Sequence, residues 1–232
     1  MNSIEDIAKK IENFYTVEEQ TWSSVEELGP GIFVFRDAIP TKSIDMLEDV
    51  IQDKSNQYDF MEAMVGYGMK VPDYRDCFDF KYKRSDIEND NSLSGTVLKK
   101  LWDSVYKRAF PAAQAYCKYF NIGELRYWEA MNFVKYGPGQ HFREHHDHGY
   151  SYNCVVSLVG YPNDNYEGGE LSFSLQKLTV KPQAGDLFVF PSNFMYPHTA
   201  MPVKSGTKYS IVTMLDYSDK YHRPEFYQET GA

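Results

Sequence analysis

A chain of 232 residues with 42% hydrophobic residues, 19 tyrosines and 15 phenylalanines has enough apolar mass to bury a large core, which excludes a disordered chain. The formal net charge of −9 argues against broad nucleic-acid binding or attachment to an anionic membrane surface, since both use a basic face. No run approaches the roughly eighteen apolar residues of a membrane span, and the first stretch, MNSIEDIAKKIENFY, lacks the apolar run of a signal peptide; the expected setting is cytoplasmic.

In chain order, Ile4, Ile7, Ala8, Ile11 and Phe14 recur at helical spacing behind an N-cap at Ser3, and predict a first helix. GIFVFRDAIP predicts a short strand ended by Pro40. Ile44, Leu47, Val50 and Ile51 form the next helical stripe. Residues 56–91 are rich in Tyr, Met and Asp without a sustained period, and read as a long loop with one strand at CFDFKY. Loops of that length often serve as lids or substrate loops. Val97, Leu98, Leu101, Trp102, Val105 and Ala109 predict a further helix that Pro111 should break or restart.

From about residue 123 short apolar runs alternate with turn residues: ELRYWEAMNFVKY, YNCVVSLVGY, GGELSFSL, KLTVKP, LFVFPS, HTAMPV and KYSIVTMLDY. Strands at this spacing predict an all-β sandwich or barrel, with the preceding helices buttressing one sheet. The class is therefore α+β. We expect a single domain over 1–232, with 1–120 mainly helical support and substrate loop and 123–217 the catalytic β core. Cys77, Cys117 and Cys154 form no CxxC pair and read as buried thiols in a reducing compartment.

Four of the six histidines fall in QHFREHHDHG, residues 140–149. In an extended segment His145 and Asp147 share one face and His146 and His148 the other. His-x-Asp can hold one metal through an imidazole nitrogen and a carboxylate oxygen, or it can be a solvated turn. A second histidine would complete a 2-His-1-carboxylate set with open positions, the arrangement diagnostic of non-haem Fe(II) oxygenases. His198, at the head of a predicted strand, is a better third ligand than His222 in the polar tail. Ten residues after His198 comes Lys208, which shares a strand face with Ser210; together they could hold a distal carboxylate.

YGPGQHFREHHD at 136–147, EGGELSF at 167–173, VKPQAGDLFVFPS at 180–192 and HTAMPVKSGTKYSIV at 198–212 together resemble the Fe(II)- and 2-oxoglutarate-dependent dioxygenases of the prolyl 4-hydroxylase-like branch. The resemblance covers about residues 125–215. It implies a double-stranded β-helix (jelly-roll) core with N-terminal supporting helices. It implies metal ligation by His145, Asp147 and His198, and 2-oxoglutarate held by Lys208, with Tyr136 on the same carboxylate and Ser210 as a weaker helper. Fe(II) and 2-oxoglutarate would be the cofactors, with ascorbate as a reductant. The activity implied is O2-dependent hydroxylation of a substrate C–H with release of succinate and CO2, on peptidyl proline or, alternatively, on a free amino acid or other small molecule. The carboxylate at 147 favours hydroxylation over halogenation, because related halogenases place a small residue there.

His141, His146 and His148 are read as polar lining or surface groups, Gly168 and Gly169 as a turn, and Arg75 as a surface ion pair or a substrate contact. A metal-binding cupin-type barrel is the main rival. It is disfavoured because HDH at 146–148 is not followed by the expected glutamate and because it gives Lys208 no role. A non-catalytic module is disfavoured by the intact set of four residues. A nucleic-acid demethylase is disfavoured by the acidic charge and by the absence of a distal arginine pair.

Overall fold

The computed structural model describes residues 22–222 except 54, 66, 67 and 150–152. The predicted first helix lies outside these residues. The elements, in chain order, are strands β1 (Ser24–Gly29) and β2 (Ile32–Arg36), helix α1 (Ser43–Gln52), strands β3 (Met61–Glu62), β4 (Arg75–Asp76) and β5 (Phe78–Tyr82), and helix α2 (Leu93–Phe120). Then come β6 (Tyr127–Trp128), β7 (Met131–Tyr136), β8 (His141–His145), β9 (Val156–Tyr161), β10 (Glu167–Gly168), β11 (Leu171–Phe173) and β12 (Leu178–Val180). Last are β13 (Asp186–Pro191), β14 (His198–Ala200), β15 (Val203–Ser205) and β16 (Lys208–Asp216). The described protein is mostly β-sheet with two helices, none long and apolar enough to cross a membrane.

A nine-stranded sheet runs β1-β2-β13-β9-β16-β7-β5-β3, with β6 also pairing β16. A five-stranded sheet runs β12-β11-β14-β8-β4, and β10 pairs β15 separately. Strand alternation sorts side chains between the two faces of the large sheet. Phe33, Phe35, Leu158, Leu187, Val189 and Ile211 join Leu47, Val50, Leu98 and Leu101 of the helices in one core. Ile32, Val34, Val159, Tyr161, Phe188 and Phe190 point the other way, against Leu171 and Phe173 of the small sheet. Central strands covered on both faces need apolar residues at every position, so their sequences read as continuous runs.

Two expectations are corrected. Helix α2 runs unbroken through Pro111. The bond that proline forfeits belongs to the carbonyl of Lys107, four residues back, and Lys107 is exposed, so water can take it. Val105, Ala109, Ala112, Ala113 and Tyr116 are buried on either side of it, and this packing carries the helix past the proline. The segment 56–91 is also more than a loop with one strand. Besides β5, which pairs β7, it supplies β3 on the large sheet and β4 on the small sheet. It thus joins the two sheets at one end, and the period there is too short to read from sequence. Among the described residues, the region up to residue 120 contributes five strands as well as two helices.

Candidate metal centre

The two sheets enclose a cavity of about 420 Å³, and its walls carry every residue singled out for chemistry in the catalytic half. His145 ends β8 and His198 begins β14; the two stand directly opposite in the antiparallel register. Cross-strand partners project to the same side, so the pairing alone brings the imidazoles together, with ring centroids 4.3 Å apart. Asp147 arrives by another route. Strand β8 stops at His145, and the chain turns where the backbone N–H groups of Asp147 and His148 donate to the Ser192 carbonyl, at 3.2 and 2.9 Å. A turn therefore places Asp147, where strand parity would have needed β8 to continue. One ligand atom from each of His145, Asp147 and His198 lies within 4.8 Å of the others.

The donor set fits a divalent metal. The Nδ1 of His145 faces the Arg143 carbonyl at 2.8 Å and that of His198 faces the Tyr196 carbonyl at 3.1 Å, so each Nδ1 carries the proton. The two Nε2 atoms are left as lone-pair donors, 3.7 and 3.8 Å from the Asp147 carboxylate. Burial, with His198 beside it, pushes His145 down to about 3, so the ring stays neutral as a ligand must. Aromatic rings fix the imidazole planes. Phe142 stacks on His145 at 3.6 Å, and Phe190 meets His198 edge-on at 4.9 Å.

The opposite wall is the inner face of β7 and β16. Lys208 and Tyr136 are register partners, and Ser210 follows two residues on, on the same face. All three are buried, with Lys208 only 1% exposed. Its Nζ donates to the Gly169 carbonyl at 2.7 Å and sits between the rings of Tyr136 and Tyr161, at 5.2 and 5.3 Å from their centroids. Burial, reinforced by the charge of Lys181, pushes the Lys208 ammonium down to about 7. Burial, with Cys77 beside it, raises the Tyr136 phenol well above its usual range, so it remains a hydrogen-bond donor.

Lys181 supports this wall from outside the cavity, a role that was not legible in the sequence. Its Nζ donates to the carbonyls of Tyr166 and Gly168, at 2.9 and 2.7 Å, and so braces the turn whose next carbonyl holds Lys208. Gly168 and Gly169 have φ of 71° and 66°. A Cβ on Gly169 would meet Lys208 Cδ at 3.0 Å, so both backbone freedom and close approach require glycine there. Arg75 lines the same cavity. It pairs with Asp79 at 2.8 Å, donates to the Met64 carbonyl at 2.7 Å and lies over the Phe142 ring.

Of the other histidines, His146 lines the cavity, while His148 Nδ1 lies 2.8 Å from the Cys154 carbonyl. The nitrogens of His141 face the Gly139 and Asp73 carbonyls, at 3.3 and 3.4 Å. His222 lies apart from the triad, between Glu129 and Asp216. All three cysteines are buried and none forms a disulfide.

Residues 131–215 match the family model of the 2OG-Fe(II) oxygenase superfamily. Human procollagen-lysine,2-oxoglutarate 5-dioxygenase 2 is 32% identical over 91 residues, 37% of this chain and 12% of that protein. A protein of Acanthamoeba polyphaga mimivirus named for prolyl 4-hydroxylase activity is 29% identical over 119 residues, 43% of this chain and 49% of that one. The chain thus spans half or less of the length of these relatives. A prolyl hydroxylase from Trichoplax adhaerens, solved with a hypoxia inducible factor peptide fragment, is similar with a TM-score of 0.63 at 15% identity, over 94% of this chain and 93% of that one. A Pseudomonas putida prolyl-4-hydroxylase gives 0.52 at 17% identity, over 93% and 100% of the two chains. At such identities these two likenesses are of fold. The matched segment contains the two-histidine, one-aspartate set and the buried lysine across from it, and over that segment the chain is similar to the 2OG-Fe(II) oxygenase superfamily.

Proposed function

We propose that this protein is an Fe(II)- and 2-oxoglutarate-dependent dioxygenase that hydroxylates a C–H bond of a peptide substrate, with peptidyl proline the first candidate, releasing succinate and CO2. The observation that carries this reading is the pairing, across one cavity, of a His-Asp-His donor set with a buried ammonium. A buried ammonium is costly unless an anion neutralises it. A dicarboxylate that reaches from the metal to that wall meets this need, and a metal-only barrel leaves it unmet.

His145, Asp147 and His198 would hold Fe(II) through two Nε2 atoms and one carboxylate oxygen, leaving open positions facing the cavity. Iron with 2-oxoglutarate supplies the oxidising chemistry, coupling O2 reduction and decarboxylation to C–H oxidation. Lys208 would pair with the distal carboxylate, with Tyr136 and Ser210 adding hydroxyl donors from the same wall. Val159, Leu171 and Val212 keep that end of the cavity dry, which strengthens the ion pair. Tyr74, Arg75 and Met64, from the segment that joins the sheets, would meet the substrate. We assign the core as a double-stranded β-helix, supported by the two facing sheets and by the fold likeness to prolyl hydroxylases. Three buried thiols outside any disulfide support a reducing compartment.

The peptide reading is supported by the Trichoplax enzyme, which was solved with a peptide, and by the procollagen named in the human relative. That relative makes lysyl peptides the second arm of the test. Succinate release should be measured with Fe(II), 2-oxoglutarate and ascorbate across prolyl peptides, lysyl peptides, free amino acids and oligonucleotides. Stimulation by prolyl peptides is expected. Stimulation by free amino acids alone would overturn the peptide reading. Anaerobic addition of Fe(II) and 2-oxoglutarate should give a weak visible charge-transfer band, and its absence would sink the metal-site assignment.

A further inference from the structure

The three metal-ligand candidates differ in where their support originates. His145 and His198 are fixed within the small sheet and by rings packed on them. Asp147 reaches across to the large sheet. There Ser157 Oγ, on β9, donates to Asp147 Oδ2 at 2.5 Å. Ser192 Oγ, just beyond β13, lies 2.7 Å from Ser157 Oγ. A serine hydroxyl has one proton to give, and Ser157 gives it to the carboxylate, so Ser192 is the donor in the second bond. Ser157 is fully buried and Ser192 is 1% exposed. Ser157 is flanked along β9 by Val156 and Leu158 and faces Phe190 in the register. A hydroxyl in such a place costs stability unless it is hydrogen-bonded. Here its proton is committed to the carboxylate of the candidate metal site, and the backbone carbonyl of Ser192 also holds the turn that carries that carboxylate.

We propose that Ser157, backed by Ser192, is a positioning residue for the metal carboxylate: its hydrogen bond to Oδ2 fixes the orientation in which Asp147 faces the two imidazoles. The inference rests on the metal-site reading above. A hydrogen bond to an ionised oxygen is about twice as strong as a neutral one, and partners of metal ligands are commonly worth about 10–100-fold in metal affinity. With Oδ2 held, the carboxylate cannot rotate freely and would meet the ion in one orientation.

Co(II) is the probe, titrated into the protein without 2-oxoglutarate and followed by its visible d–d absorption. Ser157→Ala should weaken Co(II) binding by about 10–100-fold and shift the d–d band at saturation. Ser157→Thr, which keeps the hydroxyl, should recover most of the affinity. Ser192→Ala, which leaves Ser157 in place but unsupported, should give a smaller loss, about threefold to tenfold. Unchanged affinity and band in Ser157→Ala overturn the proposal. So does an affinity as low in Ser157→Thr as in Ser157→Ala, since packing rather than the hydroxyl would then be responsible. If Ser157→Ala does not fold, folded Ser192→Ala with wild-type affinity overturns it. Wild-type protein that binds no Co(II) would instead bring down the metal-site reading beneath it.

Discussion

The two ends of the cavity are stabilised on opposite terms. At the metal end the groups that orient the three candidate ligands are partnered before any ion arrives. Both Nδ1 atoms face carbonyls, the rings are packed, and Asp147 accepts from Ser157. At the other end Lys208 is buried with one carbonyl for its three ammonium protons and a second lysine nearby. The metal end is preorganised, so its residues are expected to matter little to folding and greatly to ligation. The lysine end is strained until an anion enters, so stability is given up for binding.

The largest effect should come from the metal end. His198→Ala should abolish the charge-transfer band and reduce succinate release by more than the roughly 100-fold that a supporting residue costs, with a near-native Tm. A band that persists would show that the two ends do not divide as described.

At the lysine end, Lys208→Met should raise the 2-oxoglutarate KM by about 30–150-fold, the equivalent of a charge-assisted hydrogen bond of about 2–3 kcal/mol. The same change should stabilise the protein without cofactors, by roughly 2–4 °C in Tm for each kcal/mol of strain relieved. Lys208 has its affinity for protons lowered in the folded state, from 10.5 to about 7. Its charged form is therefore penalised in the folded protein below pH 7, and the penalty fades as pH rises from 7 toward 10.5. The gain from Lys208→Met should accordingly be larger at pH 6 than at pH 9. A loss of stability at pH 6 would refute the contrast between the ends.

A third expectation concerns pH alone. Binding a carboxylate draws a proton onto Lys208, so 2-oxoglutarate affinity should be flat below pH 7 and fall above it, by up to about tenfold per unit. Lys208→Arg, charged throughout, should flatten that slope. Lys181→Met removes the neighbouring charge and should move the break in the profile upward, as isothermal titration at several pH values would show. The smallest effect is expected outside both ends: His141→Ala should leave Co(II) affinity within about twofold, because its ring nitrogens face the Gly139 and Asp73 carbonyls and not the triad.

Much of the site could be read without coordinates, because period-two alternation states which side chains share a face. Lys208 and Ser210 share the inner face of β16, as parity requires, and Tyr136 joins them through its register with Lys208. For Asp147 the expected convergence with His145 is present, but the turn bound to Ser192 produces it. Phe142, Phe190, Ser157, Ser192 and Lys181 went unread. An aromatic or serine in an apolar strand has a core reading that local pattern cannot distinguish from support of a ligand. The predicted break at Pro111 failed because propensity is local while the packing that overrides it comes from distant strands.

The sequence by itself determined the donor types, the spacing of His145, Asp147, His198 and Lys208, and the strand alternation that lines one cavity with them. The tertiary structure alone decided that β8 and β14 pair His145 with His198, that the large sheet grips the aspartate, and that the lysine lies buried opposite the metal end. Alternation fixes which face a residue takes but carries no information on which strands become neighbours. That choice is made by the packing of Phe173, Phe188 and Phe190 between the sheets, which brings residues distant in the chain into contact.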